Sequence, residues 1–309
     1  TGEALTKGLT VPITAIGAAS MAAWAEMDEA YDNIAAGTGA TGDALSELQN
    51  SFDVVFGSLP VEADAASSAI ADINTRFGFT GEVLETATEK FLKFAEVNNT
   101  DVSSSVALVS RAMGDASIDA SEYGELLDEL TAASQASGIS IEKLTEMLTK
   151  YGAPMRALGY DTRESIAIFS SWEKAGVNTE IAFSGMKKAI SNFLSEGKNA
   201  KVEFEKLVKG IENGSISASE AMKIFGTKAG PDLVDAIQEG RFSFEEMMKV
   251  VESSSGQLEQ SFDDMLDPAD NAKVALNNLK IAGSELGDVI QSSLGPVFVM
   301  LSNVIKDIT

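Results

Sequence analysis

Carboxylates are the only reactive groups this sequence carries in quantity. It has 309 residues with 47 Asp and Glu against 23 Lys and Arg, a formal net charge of −24, and neither Cys nor His. Those two absences exclude disulfides, thiolate and imidazole metal sites, cysteine nucleophiles and histidine general bases. Acid–base work by paired carboxylates remains possible in principle. The pairs to consider are Asp263-Asp264, Glu245-Glu246, and Glu26 with Asp28-Glu29. Neighbours in sequence point in different directions on a helix, and so acidic a chain produces such pairs by chance on solvated faces. Asp115, Ser117, Asp119 and Ser121 alternate as calcium ligands would, but loop position six is Ala120 where Gly is needed and position twelve is Leu126 where Glu is needed. A Ser-rich start to a helix accounts for them better. Gly37–Gly42 contains glycines, yet neither a preceding strand nor a following Lys makes it a phosphate cradle. The sequence therefore assigns no catalytic, cofactor-binding or metal-binding residue, requires no cofactor, and does not read as an enzyme.

The remaining charged feature is basic. Lys187-Lys188, Lys198, Lys201, Lys206 and Lys209 are interleaved or flanked by Glu196, Glu203, Glu205 and Glu212. That mixture predicts a salt-laced exposed helix, with a docking patch for an acidic partner as the alternative. The overall acidity argues against tight nucleic-acid binding, which needs clustered Lys and Arg.

The elements that would position these groups read as helices throughout. Aromatics make up 7 % of the chain and Pro is rare, a bias that favours helix over sheet. Apolar residues recur three and four apart, as in Leu45, Leu48, Phe52 and Val55–Phe56, and then Ala63, Ala66, Ile70 and Ile73. Thr41 is expected to cap the helix from Asp43, and Leu59-Pro60 to open the next, with Pro in the first turn. Further helices are expected over Val83–Val97, Ser103–Met113, Ser121–Ser134 and Ser140–Tyr151. A short piece over Pro154–Leu158 follows, then Ser165–Lys174 and Glu180–Leu194. Asp161 with Glu164, Ser217 with Glu220, and Ser243 with Glu246 have capping-box spacing. Asp267-Pro268 interrupts the chain before Ala269–Leu286 and Val289–Asp307. The expected fold is all-α: many short-to-medium helices joined by Gly, Pro and Ser turns, in a helical array or bundle and not a single long coiled coil.

Three regions follow from these breaks: an apolar opening helix over 1–36, a multi-helix core over 37–266, and C-terminal helices over 267–309 that continue into a downstream region. The chain starts at Thr1 without a secretory pattern and stops inside an expected helix, so it reads as a fragment of something longer. Leu9–Ala25 and Val289–Ile305 are uncharged, which makes a membrane-perturbing or pore-forming helical protein the alternative reading. The Ala, Gly, Ser and Thr content of the first, and the Pro and polar side chains of the second, favour packing against protein.

Several segments, in order and spacing, resemble the conserved core region of phage tail tape measure proteins. Leu9–Gly17 is similar to its apolar, Pro-containing opening, and Trp24–Ala30 followed by Gly37–Thr41 to its aromatic–acidic helix and glycine–threonine turn. Asn74–Gly81 matches another recurrent segment. The closest matches are Tyr151-Gly152-Ala153-Pro154 with Ala157–Tyr160, Ala175–Asn178 leading into Ala182–Met186, and Ile224–Ala229. Two departures stand out: Gly185 occupies a position where the family often has Thr, and the opening helix is less basic than usual. The resemblance implies a structural tail component, a ruler around which tube subunits polymerise and which occupies the tube lumen until DNA ejection, in a long-tailed phage, prophage or tailocin. Implied partners are tail tube subunits, tail assembly chaperones, baseplate or tail-tip proteins, and further copies of itself, three being the expected number. Membrane contact would come only at ejection. It implies location in the virion tail tube lumen, and in the host cytoplasm during assembly.

Overall fold

The computed structural model describes residues 11–285 and 287, with side chains from residue 19 onward. Among the described residues every regular element is a helix. In chain order they are α1 (Val11–Thr38), α2 (Asp43–Ser58), α3 (Ala63–Phe77), α4 (Gly81–Val97), α5 (Val102–Ala116), α6 (Tyr123–Ser137), α7 (Ile141–Ala157), α8 (Thr162–Lys174) and α9 (Thr179–Ser195). There follow α10 (Ala200–Glu212), α11 (Ala218–Phe225), α12 (Gly230–Gln238), α13 (Phe244–Glu252), α14 (Gln257–Met265) and α15 over residues 268–285. The all-α expectation is met, with stops at Gly78 and Gly138, whose φ values of 72° and 77° place them in the left-handed region glycine adopts without cost. The expected helix over 289–307 lies outside the described residues.

The contacts divide the chain into two compact units, residues 1–92 with 266–309, and residues 93–265, with the division falling inside α4. Residues 37–92 belong to the same unit as α1, and so does α15.

In the first unit α1 packs mainly on α3. Its stripe Ala23, Met27, Ala30 and Ile34 recurs at helical spacing and is buried. Tyr31, Phe52 and Phe56 form a ring cluster, Phe52 stacked on Phe56 at 5.3 Å between centroids and Tyr31 edge-on to Phe52 at 5.8 Å. The carbonyls of a helix C-terminus need donors from elsewhere. For α2 they come from α15: buried Asn277 donates its amide to the Phe56, Leu59 and Val61 carbonyls, each at 3.1 Å, and Asn278 donates to Gly57 at 2.8 Å.

In the second unit α8 is central, packed by α6, α7, α9 and α13. Every residue from Ser165 to Trp172 is buried. Burial all round leaves its polar side chains dependent on partners within the protein; Ser170 Oγ and Trp172 Nε1 have none, while two other serines are satisfied. Ser165 Oγ donates to the Asp161 carbonyl, and Ser171 Oγ lies within hydrogen-bonding distance of the Ala167 and Ser243 carbonyls.

Local corrections concern helix ends. Thr41 does not cap α2; Gly42 is the N-cap residue and no side chain bonds there. Pro60 stands outside α3, which starts at Ala63 after an extended Glu62, so its fixed φ shapes the loop. Pro154 lies inside α7, and the two pieces expected over 140–158 are one helix. Proline near a helix end forfeits one backbone bond; the full burial of Met155 beyond it keeps the last turn helical. The boxes at Asp161 and Ser217 close in both directions. At Ser243 the side chain accepts from Glu246 N–H and no return bond closes the box.

Candidate functional site: a helix-packing cluster and an aromatic groove

The carboxylate pairs do not converge on a cleft. Asp263 and Asp264 are exposed on α14. Glu245 is held by Lys209 at 2.8 Å, and its carboxyl titrates below the usual range because Lys209 bonds and attracts it. Glu26 pairs with Lys280 at 2.7 Å, while Asp28 and Glu29 face solvent. The Asp115–Ser121 stretch forms a capped turn: Asp119 accepts from Ser121 N–H and Oγ at 2.9 and 2.6 Å and opens a short 3-10 turn over Ala120–Glu122. Gly37–Gly42 joins α1 to α2. Among the described residues no group of three or more acidic side chains is placed to hold a metal ion, and no helix is long and apolar enough to cross a membrane.

The lysine-rich stretch does not form one helix face. Lys187 and Lys188 are on α9, Lys198 is in the following turn, and Lys201, Lys206 and Lys209 are on α10. Four of these six lysines are ion-paired: Lys198 with Glu196, Lys201 with Glu164, Lys206 with Glu203 and Lys209 with Glu245.

What the second unit does bring together is the three segments quoted above as the closest to a known pattern. Tyr151 on α7 packs its ring against Phe183 on α9 at 4.4 Å between centroids and reaches Phe169 on α8 at 6.1 Å. The Val177 N–H bonds the Trp172 carbonyl at 2.9 Å, and Asn178 accepts from Ile181 N–H at 3.0 Å, so the segment 175–178 closes α8 and opens α9. Gly185 admits the segment 224–229: a Cβ there would stand 2.5 Å from Ala229 Cβ and 3.0 Å from Leu233 Cδ1. These residue types are therefore explained by helix packing and helix termination.

Three features escaped sequence reasoning. Glu129 is buried on α6, paired with the Arg163 Nε. Burial raises its carboxyl pKa, outweighing the hydrogen bond and charge of Arg163. Its setting between Leu127 and Leu130 was the available signal. It lines a cavity of about 380 Å³ with Glu122, Glu125, Asp161, Arg156 and Arg163, the two arginines already engaged by Glu129 and by the Asp115 carbonyl. Asp53 in the first unit is the second: burial raises its pKa to about 6, against the lowering bond from Tyr31 Oη at 2.9 Å, with the Glu285 charge adding to the rise. The third is a groove of about 100 Å³ lined by Tyr160, Ile168, Phe204, Val208, Phe242 and Phe244, with Glu205, Glu212, Glu245 and Lys209 around it.

The fold and these sites define a helical protein in which the charged side chains brought together by the structure serve helix caps and ion pairs. A family model described as phage-related minor tail protein matches residues 55–279, more than half of the chain and all of the second unit. The chain belongs to that family and is a phage tail protein, a component of the virion. Neither a curated protein nor a solved structure matches it.

Proposed function

We propose that the chain is part of a tape measure protein, the tail component that sets tube length, scaffolds tube polymerisation and occupies the lumen until DNA ejection. The observation that carries this reading is the family match over residues 55–279. An architecture assembled from helices and helix caps supports it, because length can be added to such a chain by inserting helices without rebuilding a reactive centre. The partners are tail tube subunits, tail assembly chaperones, baseplate or tail-tip proteins and a few copies of the chain itself. The role is structural and not enzymatic. A net charge of −24 suits a lumen through which DNA must pass, since a polyanion is repelled and not gripped.

Internal deletion in the phage tests the proposal. A tube length set by this chain must shorten when residues 93–265 are removed. As one continuous helix these residues would span about 260 Å; left folded they account for less. Tails of unchanged length by electron microscopy would refute the ruler role while leaving membership of the tail intact. Tight binding of the 309-residue chain to duplex DNA at physiological salt would refute the charge argument.

A further inference from the structure

Two cations of the lysine-rich stretch have no carboxylate. Lys187 and Lys188 are exposed on α9, and among the described residues neither makes an ion pair, whereas Lys143, Lys150, Lys201 and Lys209 in the same unit each have one. Ser184 and Ser191, also exposed, lie one turn before and one turn after both lysines, so the pair edges a single solvated face. Folding brings two more lysines there from a distant part of the chain. The Lys188 ammonium reaches the Lys223 carbonyl at the end of α11, at 3.4 Å. It also lies against Gly226, where an added Cβ would stand 3.0 Å from Nζ. Gly226 opens the turn 226–229, which carries Lys228. Lys223 and Lys228 are exposed and likewise make no ion pair among the described residues.

The carboxylates that sense these lysines are already committed. Glu180 is lowered in pKa first by its bond to Lys150 and only last by Lys228. Glu220 accepts the Ser217 N–H and hydroxyl at 3.0 and 2.6 Å, with Lys223 a minor influence. Asp232, in the first turn of α12, sets one further acid against four lysines. Within a chain of net charge −24 this is a positive face, and Met222, 37 % exposed beside Lys223, adds an apolar contact to it. Charge complementarity calls for carboxylates. A duplex or an anionic lipid surface extends its charge well beyond so small a face and meets the repulsion of the rest of the chain. A short acidic segment ends where the lysines end. We propose that this face docks a separate partner protein through such a segment, with carboxylates over Lys188, Lys223 and Lys228 and an apolar side chain against Met222.

The test uses the 309-residue chain and defined peptides in isothermal titration. Acetyl-Glu-Asp-Leu-Glu-Asp-amide should bind at least ten-fold more tightly than its neutral counterpart acetyl-Gln-Asn-Leu-Gln-Asn-amide at low salt, with a preference that shrinks as salt rises. The double variant K223Q/K228Q should weaken the acidic peptide five-fold or more. K206Q/K209Q removes the same charge from lysines that already have carboxylate partners, and should change the affinity less than two-fold. All four lysines are exposed, so both variants should keep the parent's melting temperature. Equal losses in the two variants would show that the peptide senses net charge alone and would overturn the proposal, as would the absence of saturable binding at millimolar concentration. A dimer of the chain in light scattering that dissociates in K223Q/K228Q would give the face to a second copy. Duplex DNA binding lost in that variant would give it to nucleic acid. Either result overturns docking by a separate acidic partner. None of these results bears on whether the chain sets tail length.

Discussion

Replacing Gly185 with alanine sets two effects of opposite sign against each other. Gly185 is in the interior of α9, where alanine is favoured over glycine by about 1 kcal/mol in helix propensity. Against that, the new Cβ would stand 2.5 Å from Ala229 Cβ, an atom that cannot rotate away, as well as 3.0 Å from Leu233 Cδ1. Overpacking of this kind costs about 1–3 kcal/mol, and the rigid contact places it at the upper end. G185A should therefore lose about 2 kcal/mol net, a fall of about 4–8 °C in melting temperature for a unit of this size. G114A supplies the control. Gly114 is on α5, has negative φ, and a Cβ there meets nothing within 4 Å, so only the propensity gain remains and stability should rise by up to about 1 kcal/mol. Urea denaturation followed by circular dichroism measures both. The double variant G185A/A229G should recover about 1 kcal/mol or more of coupling energy, since the obstructing methyl is gone. A G185A protein as stable as the parent, or an additive double variant, would refute the claim that this glycine exists to let α9 meet α12. The same reasoning bears on the departure at this position: a threonine here demands more space than alanine, so G185T should be worse still unless residue 229 also shrinks.

Asn277→Ala should cost about 1–3 kcal/mol, because the three carbonyls it serves at the end of α2 lose a buried donor; an unchanged urea midpoint would show that water replaces the amide. Asp53 has a folded pKa of about 6, above its ordinary value of 3.8, so its contribution to stability is fully present below about pH 4 and is lost as pH rises through 6. The shift corresponds to about 3 kcal/mol, discounted to about 1–2 kcal/mol because the group is partly exposed. D53N should accordingly be the more stable protein at pH 7 by that amount and show a flatter stability profile between pH 4 and 7; equal slopes in the two proteins would contradict the assignment. Arg163→Ala leaves Glu129 buried without its cation and should destabilise by about 1–3 kcal/mol, less than a fully buried pair would because Arg163 is 43 % exposed. The loss should be smaller at pH 5, where Glu129 takes up a proton more readily.

The sequence by itself determined the helices and much of their punctuation. The apolar spacing of Leu48, Phe52 and Val55 and the boxes at Asp161 and Ser217 act within one or two turns, so their physics is local and is written in neighbouring residues. The absence of Cys and His likewise removed whole classes of chemistry before any fold was known. Where the sequence reading slipped, a distant partner outweighed a local rule: Pro154 stays helical because Met155 is buried, and α2 ends on amides from α15 more than two hundred residues away. The same holds for the groove. Tyr160, Phe204 and Phe244 are unremarkable in sequence and become a surface only when α8, α10 and α13 converge. Gly185 is the sharpest instance. Its chain neighbours say only that a helix tolerates it, and the reason it must be small is the methyl group of Ala229, which tertiary packing alone brings within reach.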